Sequence, residues 1–153
     1  MKRGIFVLIC WCGLMTIADG AHAQGEPNKF GFGISGFEDS LLRFRYWLQG
    51  NVAFDAGLGL DSRGDAVFII TGGLLKTMGG AEKVYPYFGG RVKITAQEAP
   101  AEDVFSLAGL LGAEFFAVKR FSLSGESQLE INFDESGTSI GTRATLTLLF
   151  YLN

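Results

Sequence analysis

The sequence predicts an all-β fold: an eight-stranded antiparallel up-and-down transmembrane β-barrel after a cleaved N-terminal signal peptide. Three observations predict it. Between Phe121 and Phe133 apolar and polar residues alternate almost without error, the period of a strand with one apolar and one polar face. Seven further segments of comparable length follow the same rule or nearly so, and a tilted strand of roughly 9–11 residues is what crosses a bilayer. The connections between them are short and rich in turn-forming residues, which makes consecutive strands antiparallel neighbours.

The expected strands are Lys29–Phe37, Leu41–Leu48, Val52–Asp61, Ala66–Thr77, Val84–Thr95, Val104–Val118, Phe121–Phe133 and Thr138–Leu152. In the second, Leu42, Phe44, Tyr46 and Leu48 oppose Arg43, Arg45 and Trp47. In the third, Val52, Phe54, Ala56, Leu58 and Leu60 oppose Ala53, Asp55, Gly57, Gly59 and Asp61. The fourth is irregular: Val67 to Ile70 is apolar on both faces, and Gly72-Gly73 reads as a bulge that shifts the phase. The fifth sets Val84, Pro86, Phe88, Val92 and Ile94 against Tyr85, Tyr87, Gly89, Arg91 and Lys93, with Pro86 tolerable only near the strand start. The eighth sets Ile140, Ala144, Leu146, Leu148, Phe150 and Leu152 against Gly141, Arg143, Thr145, Thr147 and Tyr151.

Residues 1–23 read as a signal peptide. Lys2 and Arg3 form a basic start, Ile5 to Ala18 is apolar, and Ala21-His22-Ala23 has the small-x-small pattern of a cleavage site. Residues 24–153 then form one domain, with Gln24 to Asn28 a short lead-in. Cys10, Cys12 and the single histidine, His22, all fall within the leader. The expected mature domain thus holds no thiol, disulfide or imidazole. The whole chain has a formal charge of −3, an acidic balance that argues against a nucleic-acid partner.

Alternation alone leaves open which face is inside, because a lipocalin-like barrel turns its apolar face inward around a ligand. Two features favour the inverted arrangement. The polar faces are rich in Gly, Ser and Thr, and their charges balance: Arg43, Arg45, Arg91, Lys93 and Arg143 against Asp55, Asp61, Glu114, Glu126 and Glu130. Small residues with paired ions suit a narrow closed lumen, where a lone charge is costly. The aromatics also gather at strand ends: Tyr46, Trp47, Phe54, Tyr85, Phe115, Phe116, Phe121, Phe150 and Tyr151 at one, Phe37, Phe68, Phe105 and Phe133 at the other. Two such rings are the girdles of a membrane barrel.

Arg45-Tyr46-Trp47-Leu48, Val52–Leu60 (VAFDAGLGL) and Gly112–Glu126 (GAEFFAVKRFSLSGE) carry a resemblance. In these segments the chain resembles the small outer-membrane β-barrel domain proteins of Gram-negative bacteria, in plan the eight-stranded OmpA- and OmpX-type barrels. The resemblance implies residence in the outer membrane, contact with its lipid and lipopolysaccharide, and a porin-like crossing by strands. Barrels of that group usually end on an aromatic residue; this chain ends Phe150-Tyr151-Leu152-Asn153.

Catalysis is not expected. A Ser–His–acid mechanism needs a histidine, and thiol or Cys/His zinc chemistry needs cysteine. Glu126 and Glu130 share a face but stand four residues apart, roughly 13 Å at about 3.3 Å per residue, too far for a glycosidase pair. Gly31/Gly33 and Gly57/Gly59 lack the helix of a nucleotide loop and read instead as room for long arginines. No cofactor or metal is expected. The far loops gather Glu38, Asp39, Asp65, Glu98, Glu102, Asp103, Asp134 and Glu135, and the opposite rim Lys83, Lys119 and Arg120. The expected role is therefore structural or interactive: a monomeric barrel whose lumen is plugged by Arg43, Arg45, Asp55, Arg91, Lys93, Glu114, Glu126, Glu130 and Arg143. A soluble periplasmic lipocalin-like carrier and a narrow selective channel are the alternatives.

Overall fold

A computed structural model describes residues 30–37, 40–48, 51–61, 67–80, 83–97 and 103–152, without the side chains of Phe37 and Asp61. The expected signal peptide and lead-in lie outside the described residues. So do Lys29, Ala66, Asn153 and the loop acids Glu38, Asp39, Asp65, Glu98 and Glu102.

Eight strands are present: β1 Phe30–Phe37, β2 Leu41–Trp47, β3 Val52–Asp61, β4 Val67–Thr77, β5 Val84–Gln97, β6 Val104–Val118, β7 Phe121–Asp134 and β8 Gly137–Leu152. Each pairs antiparallel with its sequence neighbour, and β1 pairs with β8, so the sheet closes on itself. Four strands differ from expectation only in length. β2 stops one residue earlier, at Trp47, β5 runs on to Gln97, β7 reaches Asp134 and β8 begins at Gly137. Among the described residues no helix is long and apolar enough to cross a membrane.

Closure fixes the geometry. Followed across the ladder, Phe30 leads through Tyr46, Phe54, Leu74, Gly90, Gly109, Leu129 and Thr142, and the β8–β1 register meets the line of β1 at position 40, ten positions above the start. With a rise of ~3.3 Å per residue and strands ~4.8 Å apart, that stagger inclines the strands by about 40° to the barrel axis. Each residue then climbs about 2.5 Å along the axis. Eight strands at this tilt leave an interior that side chains fill.

At the end where β1 starts and β8 finishes, backbone bonds and left-handed residues shape the described parts of the turns. Leu48 N donates to Val52 O at 2.7 Å across the β2–β3 turn, and Asn51 takes φ 64°, a left-handed conformation that asparagine tolerates. In the β4–β5 connection Gly79 sits at φ 99°, where a Cβ would be strained. Pro86 is accommodated for a specific reason. Its carbonyl accepts from Met78 N at 2.9 Å, one residue past the end of β4, so the donor it lacks would also have pointed beyond the strand.

Two expectations are corrected. Gly72-Gly73 makes no bulge: β4 stays in register with β3 and β5 throughout, and Ile69, Thr71, Leu75 and Thr77 share the inner face without a change of phase. The two glycines continue the alternation, Gly73 facing in and Gly72 facing out. A register shift instead lies in β6–β7, between Phe116 and Val118 beside the tight turn. The second correction concerns the aromatic rings, whose members divide between the two faces. Trp47 and Tyr151 are buried inside beside Tyr87, and Phe116 packs inward against them.

Candidate functional site: the charged lumen

The outer face is apolar. Among the described residues Phe30, Phe32, Phe54, Leu58, Ile70, Leu74, Phe88, Leu123, Leu146 and Leu148 are each 37% or more exposed, with twenty further large apolar residues in the same class. Tyr46, Phe115, Phe121 and Phe150 ring one end of this surface, and Phe68, Phe105 and Phe133 ring the other. Phe105 and Phe115 stand ten residues apart on β6, an axial separation of about 25 Å. The inner face is polar. This is the inverse of a lipocalin-like barrel, because the side chains withdrawn from solvent are Arg43, Arg45, Asp55, Arg91, Lys93, Glu114, Glu126 and Glu130.

The nine residues expected in the lumen fall into two groups. The larger holds three arginines and three carboxylates. Arg45, from β2, is the hub: its Nε donates to Asp55 Oδ2 at 3.1 Å, Nη1 to Glu114 Oε2 at 3.1 Å and Nη2 to Glu126 Oε1 at 3.2 Å. Its guanidinium also lies 5.1 Å from the centroid of the Tyr87 ring. Arg91, from β5, donates to Glu126 Oε2 and Asp55 Oδ1, both at 2.8 Å. Arg43 places Nη2 2.8 Å from Asp55 Oδ1 and donates from Nη1 to Thr71 Oγ1 at 3.1 Å. Formal charge cancels within the group, which is what lets six ions sit in a dry interior. Toward the far end, Glu130 accepts from Arg143 Nε at 3.1 Å and from Lys93 Nζ at 3.4 Å. The Asp61 side chain, expected among the acids, lies outside the description.

The sequence reading missed the neutral partners that complete the cluster. Tyr87 OH donates to Glu126 Oε1 at 2.9 Å, and Gln128 Nε2 donates to Glu126 Oε2 at 3.1 Å. Ser122 Oγ and Tyr151 OH donate to Glu114 Oε1 at 2.5 and 2.7 Å, and Trp47 Nε1 donates to Tyr151 OH at 3.2 Å. Alternation does place each of these on the polar face, so the signal was present. Trp47 and Tyr151 read in the sequence as membrane girdle rather than as hydrogen-bonding lumen residues, whereas Tyr87 reads only as a polar-face residue. With Ala53, Leu75, Leu149 and Phe116 they close the terminal end of the lumen as a small aromatic and aliphatic floor. Phe116 packs between Tyr85 and Tyr151, its ring 5.5 and 5.4 Å from theirs.

Glycines make the room. A Cβ on Gly57 would stand 2.6 Å from Thr71 Oγ1 and 3.0 Å from Arg43 Nη1, and one on Gly31 would stand 2.7 Å from the Tyr151 ring. Above the six-ion group, the gap bordered by Arg91, Lys93, Gln128 and Arg143 has a volume of about 10 Å³, enough for one water. At the far turn, beyond the Phe133 ring, Asp134 accepts from Ser136 Oγ at 2.5 Å and from Ser136 N at 2.9 Å, and the Ser136 hydroxyl holds its carboxyl below the ordinary range.

No family model matches this chain, and no curated protein sequence matches it.

Proposed function

We propose that this chain is a small monomeric outer-membrane β-barrel with a structural or interaction role, exported by its signal peptide, with a lumen closed by ion pairs and without catalysis or cofactor. One observation carries the reading: the barrel is inverted, with paired charges inside and a predominantly apolar surface outside. In water that surface would be a severe aggregation liability, since soluble monomers rarely expose contiguous apolar patches beyond a few hundred Å². The spacing of about 25 Å between its aromatic rings suits the apolar band of outer-membrane barrels. Closure suits lipid as well, because an open edge would leave backbone groups unpaired in hydrocarbon. The lipids of that membrane, lipopolysaccharide included, are the partners this reading assigns.

The closed interior argues against the narrow channel, and the inverted faces argue against the soluble carrier. Each carboxylate of the six-ion group accepts from an arginine and from other donors, which leaves it unsuited to act as a free general base. The test is fractionation with gel mobility. The protein is expected in the outer-membrane fraction, with an unboiled sample migrating differently from a boiled one. Recovery in the soluble periplasm, with mobility unchanged by boiling, overturns the reading. A planar bilayer carrying the folded protein is expected to stay electrically silent.

A further inference from the structure

Among the described residues, the charges at the end of the barrel where β1 starts and β8 finishes are all basic, and they form an arc; Glu82, which precedes Lys83 in sequence, lies outside the described residues. Lys76 stands on the outer face of β4, next to the strand's last residue; Lys83 precedes β5, and Lys119 and Arg120 make the β6–β7 turn. All four are exposed, and among the described residues none of them pairs with a carboxylate. Two of the turns are pinned to strand ends: Phe116 N donates to Lys83 O and Tyr151 N to Arg120 O, each at 2.8 Å. The cations therefore stand on fixed backbone.

Among the described residues the arc occupies one side of the rim; Lys29, which precedes Phe30 in sequence, lies outside them. The arc covers β4 to β7, half the circumference. On the remaining half of the same rim the described residues, such as Phe30, Asn51 and Leu152, are uncharged. Beyond the far aromatic ring the described charges are Asp103, Asp134 and Glu135, all acidic. The apolar band also ends directly at the arc, since Phe121 of the aromatic ring follows Arg120 in sequence.

We propose that this arc is a docking surface for the phosphate headgroups of anionic phospholipid in the leaflet at the terminal end of the barrel. The proposal rests on the membrane-barrel reading above and adds to it a lipid class and a side. Position selects lipid over a soluble acidic protein. A ring that meets acyl chains puts lipid phosphates at the level of Lys83, Lys119 and Arg120. Lys76 starts just inside the band, and its aliphatic stem lets the ammonium reach the same level.

The experiment uses the chain folded in phosphatidylcholine vesicles containing a trace of spin-labelled phosphatidylglycerol or spin-labelled phosphatidylcholine. It reads the fraction of each label held motionally restricted at the protein. One cation beside an anionic lipid is worth about a five-fold preference, so phosphatidylglycerol is expected to be selected about five-fold at low salt. The preference should fall to unity in Lys76→Gln/Lys83→Gln/Lys119→Gln/Arg120→Gln and in high salt, and should persist in Asp134→Asn. The gel shift on boiling checks that each variant is folded. Restricted lipid without headgroup preference, or a preference kept by the quadruple variant, overturns this proposal alone. No restricted lipid of either kind overturns the membrane reading and this proposal with it. Salt-sensitive capture of polyglutamate together with equal restriction of the two lipids assigns the arc to a soluble acidic partner instead.

Discussion

Glu126→Gln is the sharpest perturbation of the lumen. The carboxylate accepts from Arg91 at 2.8 Å, Arg45 at 3.2 Å, Tyr87 at 2.9 Å and Gln128 at 3.1 Å, and lies 3.8 Å from Arg43 Nη2. Glutamine keeps the volume and one acceptor oxygen but leaves three buried arginines facing two carboxylates. Removing one member of a buried charge pair costs about 3–5 kcal/mol, chiefly because the partner stays behind uncompensated. The assay is urea unfolding of the barrel folded in detergent, followed through Trp47, which the aromatic floor holds 4% exposed. With a slope of about 2 kcal/mol/M, the midpoint should fall by about 2 M. The double variant Arg91→Gln/Glu126→Gln restores balance between two arginines and two carboxylates. It should therefore lose about 1–3 kcal/mol less than the sum of the single losses. A loss below about 1 kcal/mol for Glu126→Gln, or strict additivity in the double variant, would refute the claim that charge compensation holds the lumen.

Three other outcomes follow from the same geometry. Gly57→Val drives a side chain into Thr71 and Arg43 and should cost about 1–3 kcal/mol, whereas Gly72→Ala, with no atom within 4 Å of its Cβ position, should change stability by less than about 0.5 kcal/mol in the same unfolding assay. Trp47→Phe removes the donor to Tyr151 and shrinks a buried ring, so a loss of at least about 1 kcal/mol is expected in urea unfolding followed by circular dichroism; no change would mean the 3.2 Å contact contributes nothing. Leu146→Arg, on the outer face midway between the aromatic rings, should cost about 2–4 kcal/mol in lipid vesicles, and a neutral result would mean that this face meets water.

Much of the charged site was legible before any coordinates because it rests on a local rule. In a strand, face membership is written at every second residue, so Arg43 and Arg45 had to share a side, as did Glu126 and Glu130. Trp47 and Tyr151 were harder. Alternation puts them on the polar face, while their place at strand ends suits a girdle, and only the packing shows their polar atoms turned to each other and, with Tyr87, to the carboxylates.

The sequence by itself determined the strands, their number and the two faces of most of them, since hydrophobic periodicity and turn chemistry act over a few residues. It also determined that the polar faces carry matched charge. The tertiary structure decided who meets whom. Arg45 reaches Glu114 and Glu126 across 69 and 81 residues of chain, a meeting set by the closure of β1 on β8 and by a stagger that accumulates over eight registers. It decided too that β4 keeps its phase through Gly72-Gly73, because two neighbours already fixed in register leave that strand no freedom to slip. A local pattern can state that a residue points inward. The height at which it arrives, and the charge waiting there, depend on how the whole sheet closes.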